Sequence, residues 1–199
     1  KYRALFIQRL GLLNEAGDIN ATNRLSDSES LNIKMDDASD VTVVLTSCGR
    51  FDLLEKTIAS FFYHNTYPIA KFIVVEDSGD RNAVSNMFVK YSDYITFLIN
   101  DKNIGQIASI DRAYAEVNTP YIFHCEDDWE FYRPGFIEDS KAILEADRNV
   151  LQVWLRSYYH DIAVHSGYHS LTNRATVDDV VFYDVLSSKA GWHGFYLNP

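Results

Sequence analysis

The chain has 199 residues, with 18 Lys and Arg against 28 Asp and Glu, giving a formal net charge of −10. Without a Lys/Arg-rich block this balance excludes a protein built to grip a phosphate backbone, so no nucleic-acid partner is expected. Hydrophobic residues make up 47% and charged ones 23%, a composition that folds around a core, and no apolar run reaches the ~20 residues of a membrane-spanning helix. Cys48 and Cys125 are the two cysteines, too few for a disulfide framework and without metal-site spacing. Reduced thiols buried as spacers, in a cytoplasmic protein, are the simplest expectation. The chain opens without Met and stops at Asn198-Pro199 after an apolar run, so both ends read as cut.

In residues 1 to 13, Tyr2, Leu5, Phe6, Arg9, Leu10 and Leu13 recur at intervals near three and four. This spacing predicts an amphipathic helix docked on the domain, with peripheral contact to a membrane surface as the alternative. Residues 14 to 40 are polar and acidic and read as an arm, so 1–40 form an appendage and 41–199 the main domain. From Val41 the pattern is regular. Val41 to Thr46, Phe72 to Val75, Ile95 to Ile99 and Tyr121 to Cys125 are apolar runs, each followed by a polar turn and a helical pattern. Asp52 with Glu55 suggests a capping box at the first helix. Strands this apolar are covered on both sides, which predicts an α/β fold: a mostly parallel central sheet in a three-layer α/β/α arrangement. After Arg133-Pro134-Gly135 a further helix is expected, then a strand from Val150 to Leu155. Residues 156 to 178 lose regularity, and Val180 to Leu186 and Phe195 to Leu197 again read as strands.

Ligands of open parallel sheets bind beyond the carboxyl ends of the strands. The polar residues fall there: Thr46, Ser47, Cys48 and Arg50 after the first run, Glu76 and Asp77 after the second, Asn103 and Gly105 after the third, Glu126, Asp127 and Asp128 after the fourth. Carboxylates, an arginine, hydroxyls and a glycine suit a nucleotide diphosphate held through Mg2+ or Mn2+, since a hard cation takes oxygen ligands and bridges phosphates. Three successive acids also make an ordinary solvated turn, and Asp-Ser-Gly is a common turn in its own right. No glycine-rich dinucleotide or P-loop motif follows the first strand, and no nucleophile elbow is present.

With these motifs in order, the stretch from Val41 to Pro199 resembles the GT-A superfamily of nucleotide-sugar glycosyltransferases, especially its large inverting family 2-type group. Val43-Val44-Leu45-Thr46 through Arg50 looks like the family's first strand and turn, and Ile73 through Gly79 like its paired-acid motif. Glu126-Asp127-Asp128 looks like its DxD-type motif. The resemblance implies a GT-A (Rossmann-like) fold and a metal-dependent glycosyltransferase moving a sugar from a nucleoside diphosphate sugar, UDP-sugar first, to a glycan or lipid-linked acceptor in surface polysaccharide biosynthesis. It implies that Asp77 contacts the base, with Thr46, Ser47, Cys48, Arg50, Glu76, Asn103, Gly105 and Asp127 in the nucleotide site. Asp128 would hold Mn2+ or Mg2+ on the diphosphate. Asp111 stands where many members have Asn, which leaves its role open. The family's base lies past the strand matched by Trp192 to Pro199, hence beyond Pro199. Within the chain Asp161, Asp178, Asp179 and His193 are weaker substitutes. Tyr158, Tyr159, His160, His165, Tyr168 and His169 suit sugar stacking and hydrogen bonding. A non-catalytic nucleotide-sugar or glycan-binding module and a sugar-phosphate nucleotidyltransferase stay open as alternatives.

Overall fold

The computed structural model describes residues 3–5, 33–148, 150–155 and 169–187. The four apolar runs between residues 41 and 126 become neighbouring strands of one parallel sheet. With β1 (Arg3–Leu5), they are β2 (Val41–Ser47), β3 (Lys71–Glu76), β4 (Ile95–Ile99) and β5 (Tyr121–Glu126), in the order β1-β5-β2-β3-β4. All seven residues of β2 are buried. That is why this strand reads as an unbroken run with no alternation: it lies centrally and both faces are covered.

Helices α1 (Phe51–His64), α2 (Arg81–Tyr91), α3 (Gln106–Tyr114) and α4 (Phe136–Ala146) connect and follow the strands. Alternate residues of β2, β3 and β5 feed two separate cores. Val41, Val43, Leu45, Phe72, Val74, Phe123 and Cys125 pack with Leu54, Ile58, Phe61 and Phe62 of α1, Met87 and Tyr91 of α2, and Phe136, Ile137, Ile143 and Leu144 of α4. Val44, Ile73, Val75 and Ile122 face the other way, against Ala113 of α3 and Val117 beyond it. The expected three layers are therefore present. Their division follows from handedness: β2 to β3 to β4 steps one way along the sheet, with α1 and α2 on one face. The return to β5 reverses the step and puts α3 on the opposite face, as right-handed crossovers require.

At the amino-terminal end of the sheet, Lys141 of α4 donates to Asp40 Oδ2 and to the Tyr67 hydroxyl, both at 2.6 Å. Its ammonium lies 4.8 and 5.0 Å from the ring centroids of Tyr67 and Tyr121. This cluster ties the lead-in to β2 onto α4, so residue 40 is anchored where the regular pattern begins.

Several expectations are corrected. Arg3–Leu5 form a strand paired in parallel with β5 where a helix was expected; the remainder of 1–13 lies outside the described residues. α1 begins at Phe51, its N-cap is Arg50 and no side chain caps it, so the Asp52/Glu55 capping box does not form. Val150 to Leu155 is not a strand; a single bridge residue, Gln152, stands there. His169–Val177, expected to be irregular, is β6, which pairs antiparallel with β7 (Val180–Ser187). Cys125 is buried as expected, but Cys48 is exposed and is no spacer. The strand expected at Phe195 to Leu197 lies outside the described residues. Among the described residues no helix is long and apolar enough to cross a membrane.

Candidate functional site

The sheet changes direction between β2 and β5, the switch point where open α/β sheets leave a crevice beyond their carboxyl ends. A cleft of ≈ 270 Å³ opens there, lined by Thr46, Ser47, Cys48, Arg50, Asp77, Asn103, Gln106, Ser109, Glu126 and Asp127.

Arg50 is its central cation. From the turn after β2, Nε donates to Asp127 Oδ2 at 3.2 Å, Nη2 donates to Asp127 Oδ1, and Nη1 donates to Asp128 Oδ2 at 2.9 Å. The fork on Asp127 is bidentate, the geometry that makes arginine–carboxylate pairs strong and directional. Asp127's side chain is 1% exposed, whereas those of Arg50 and Asp128 are 50% and 42% exposed. Burial works against the guanidinium's charge, but Asp127 and then Asp128 hold its pKa above the ordinary value. Asp127 is fixed from behind: its N–H donates to the Thr46 carbonyl at 3.1 Å. The Thr57 hydroxyl of α1 sits 2.8 Å from the Asp127 carbonyl and 2.7 Å from that of Trp129.

Asp77 lies on the other wall. Its Oδ1 accepts from Asn100 Nδ2 at 2.7 Å and from the Ile104 N–H at 2.8 Å, and its Oδ2 from the Gly105 N–H at 2.9 Å. Burial alone would raise its pKa; the bonds from Ile104, Asn100, Gly105 and Ser109 outweigh that and lower it. Three of these donors, Asn100, Ile104 and Gly105, lie within 2.9 Å of the carboxylate, so much of its acceptor capacity goes to organising the loop before α3. Gly105, the N-cap of α3, has φ 90° and ψ 155°, a region only glycine occupies without strain. Glu76 is fully buried, its Oε1 accepting from the N–H groups of Gly49 and Ser78 at 2.9 and 2.8 Å. It knits the turns after β2 and β3 together.

Gly79 closes the β3 turn at φ 80°, and a Cβ there would come within 3.1 Å of the Asp101 carbonyl oxygen and of Lys102 Cα. Gly79→Ala is expected to lower stability by about 2 kcal/mol, read as a lower urea midpoint; an unchanged midpoint would mean that the Asp101–Lys102 backbone yields freely.

The sequence-predicted residues Thr46, Ser47, Cys48, Arg50, Asp77, Asn103 and Asp127 all line the cleft. Glu76, Gly105 and Asp128 do not line it; each is bonded to a residue that borders or lines it. Gln106 and Ser109 of α3 also line the cleft, though the strand-end pattern does not name them, and so does Glu126, to which the resemblance assigns no contact. Gln106 Nε2 donates to Glu126 Oε1 at 2.8 Å, while burial and then the charges of Asp128 and Asp127 push the Glu126 pKa up. Asp178 and Asp179 form the exposed turn of the β6–β7 hairpin, Asp178 at φ 50°, and neither lines the cleft. Asp111 is exposed on α3. His169 begins β6; Tyr158, Tyr159, His160, Asp161, His165, Tyr168 and His193 lie outside the described residues.

No protein-family model and no curated protein sequence matches the chain. Among solved structures it is similar to the mannosyltransferase PcManGT from Pyrobaculum calidifontis, in complex with GDP-Man and Mn2+, at 16% identity and a TM-score of 0.44. The match takes in 58% of this chain and 35% of that one, so this chain spans about a third of that protein's length.

The Thr46 and Ser47 hydroxyls are buried without a hydrogen-bond partner, as is Glu76 Oε2, and such groups are costly unless something else satisfies them. Among the described residues three carboxylates, Asp77, Glu126 and Asp127, line the cleft against the single cation Arg50. Among the described residues no three His, Cys, Asp or Glu side chains converge as a self-sufficient metal centre. The donor chemistry does fit a hard cation shared with a ligand: Mg2+ in nucleotide sites typically takes one or two carboxylates and completes its shell with phosphate and water oxygens. Asp128 is the exposed carboxylate that can supply that contact.

Proposed function

We propose that the chain is the nucleotide-sugar-binding domain of a metal-dependent glycosyltransferase of the GT-A type, using a nucleoside diphosphate sugar, UDP-sugar first, and a glycan or lipid-linked acceptor. The observation that carries this reading is the junction of β2 and β5. There a half-exposed arginine and a half-exposed aspartate meet beside two orphaned hydroxyls at the sheet's switch point. A diphosphate alone would be repelled by a cleft with a surplus of carboxylates, so a divalent cation is the natural bridge between ligand and protein. Asp128 would hold that cation, Mn2+ or Mg2+, whose Lewis acidity offsets charge on the departing diphosphate.

The chain's own residues do the rest. Arg50, kept in place by its fork on buried Asp127, directs N–H donors toward the phosphates, preorganised and without reorientation of the whole side chain. The Thr46 and Ser47 hydroxyls, buried and unpartnered in residues that line the cleft, would find acceptors in ligand oxygens on turning toward it. Asp77 fixes the 103–105 loop and thereby sets Asn103 beside Cys48, where Nδ2 lies 3.3 Å from Sγ, so that its part in base recognition is to hold that amide in position. An acceptor-activating base belongs to this reading as a carboxylate within reach of the acceptor hydroxyl.

The test is a thermal-shift and calorimetric comparison of UDP, GDP, CMP and dTDP with their sugars, with and without Mn2+. Stabilisation by a nucleoside diphosphate that needs Mn2+, and a ~10–100-fold loss of Mn2+-dependent affinity in Asp128→Ala, is the expected result. Equal binding with chelator present, or an Asp128→Ala protein that binds as the parent does, would remove the metal from the reading. Transfer of sugar to an acceptor separates the transferase from a binding module, and pyrophosphate release from an NTP and a sugar phosphate would select a nucleotidyltransferase.

A further inference from the structure

Arg50 holds two carboxylates on unequal terms. Its fork on Asp127 is bidentate and its partner is almost wholly enclosed; its third contact, Nη1 to Asp128 Oδ2, joins two side chains that are both about half exposed. Breaking the fork would strand a buried charge, which is costly, whereas the outer contact is screened and exchanges cheaply with solvent or another acceptor. Nη1 is thus a donor whose partner can be swapped while the rest of the guanidinium stays still.

We propose that Arg50 latches Asp128 in the ligand-free protein, and that a phosphate oxygen of the incoming nucleotide takes over Nη1 and releases the Asp128 carboxylate for the divalent cation. This rests on the nucleotide-sugar reading above. It deepens that reading by making cation and nucleotide binding interdependent through one named hydrogen bond. Without nucleotide, Nη1 competes with the cation for Asp128. Once the phosphate takes Nη1, both oxygens of Asp128 are open to it. By linkage, the cation favours the nucleotide by the same factor as the nucleotide favours the cation.

Arg50→Lys is the informative variant, because it keeps the positive charge beside Asp127 but lacks the planar fork that reaches Asp128 at the same time. Mn2+ binding, followed by the electron paramagnetic resonance signal of the free ion, is measured on the full chain with and without UDP. The expected result is that UDP tightens Mn2+ binding to the parent protein by ~5-fold or more, and that Arg50→Lys binds Mn2+ without UDP ~5-fold or more tighter than the parent does. A parent that binds UDP with Mn2+ while Arg50→Lys leaves nucleotide-free Mn2+ affinity unchanged or weaker overturns the latch alone. A parent that binds no UDP in the presence of Mn2+ overturns the reading beneath it. Should Arg50→Lys fail to fold, arginine side-chain NMR on the parent decides. On addition of UDP and Mg2+ the Arg50 Nη1 resonance is expected to move while Nε keeps its position; joint movement of both, or movement of neither, overturns the proposal.

Discussion

Phe61→Ala is expected to lower the free energy of unfolding by about 3–5 kcal/mol, a large part of the ~5–15 kcal/mol that a domain has in all. Phe61 is fully buried, and its ring centroid lies 5.6, 5.1, 5.8, 5.3 and 5.5 Å from those of Phe62, Phe72, Phe123, Phe131 and Phe136. One side chain therefore joins α1, β3, β5, the segment after Asp128 and α4. Truncation removes its own transfer free energy and leaves a space that rings anchored on several elements cannot close together. Phe61→Leu should cost about 1.5 kcal/mol or less. Urea unfolding of the three proteins checks this, and a loss below about 1 kcal/mol for the alanine variant would mean that the aromatic cluster repacks. The effect reaches the site, because α1 also carries Thr57, whose hydroxyl sits between the Asp127 and Trp129 carbonyls.

The same contrast between enclosed and edge positions explains what the sequence made legible. Strands β2, β3 and β5 announce themselves because burial on both faces removes polar residues, whereas β4, an edge strand that is mostly half-buried, is legible from its short apolar run bounded by polar turns. β6 does not, since Ser170, Thr172, Asn173 and Arg174 give an antiparallel hairpin strand no apolar run. β1 was hidden for a different reason. Three residues carry no period of their own, and what makes Arg3–Leu5 a strand is pairing with Tyr121–Phe123, far along the chain.

In the cleft, strand-end residues could be named in advance because topology alone brings the ends together. Gln106 and Ser109 sit within α3, at i and i+3, and their direction depends on how that helix docks on the sheet. The glycine N-cap at 105 was the available signal: it fixes where the helix starts, and hence which two first-turn side chains face the strand ends. The division of labour between Arg50's two carboxylates was out of reach of sequence altogether, since it depends on the unequal burial of adjacent aspartates.

Asp77→Asn is expected to cost about 3 kcal/mol near neutral pH, because hydrogen bonds to a buried charge are the strong ones and the replacement turns acceptors into donors. Ile104 N–H, Gly105 N–H and Asn100 Nδ2 all point at the carboxylate. An asparagine amide can offer its oxygen to one side only, leaving its NH2 against a donor on the other. The carboxylate also sits at the amino terminus of α3, where a negative charge is favoured by the helix dipole. The pH dependence has a definite sign. Asp77's folded pKa is depressed below its ordinary value of 3.8, so its contribution is fully present above about that pH and is lost as pH falls through the folded value. Urea midpoints of the parent and Asp77→Asn should therefore differ most at pH 5–7 and draw together as the pH is taken below 3.8. Faster amide exchange at Ile104 and Gly105 should accompany the variant at neutral pH, since those two N–H groups lose their acceptor. A stability gap that stays constant through the acid range, or amides at 104 and 105 that remain protected, would mean that the loop before α3 is held by contacts other than the Asp77 carboxylate.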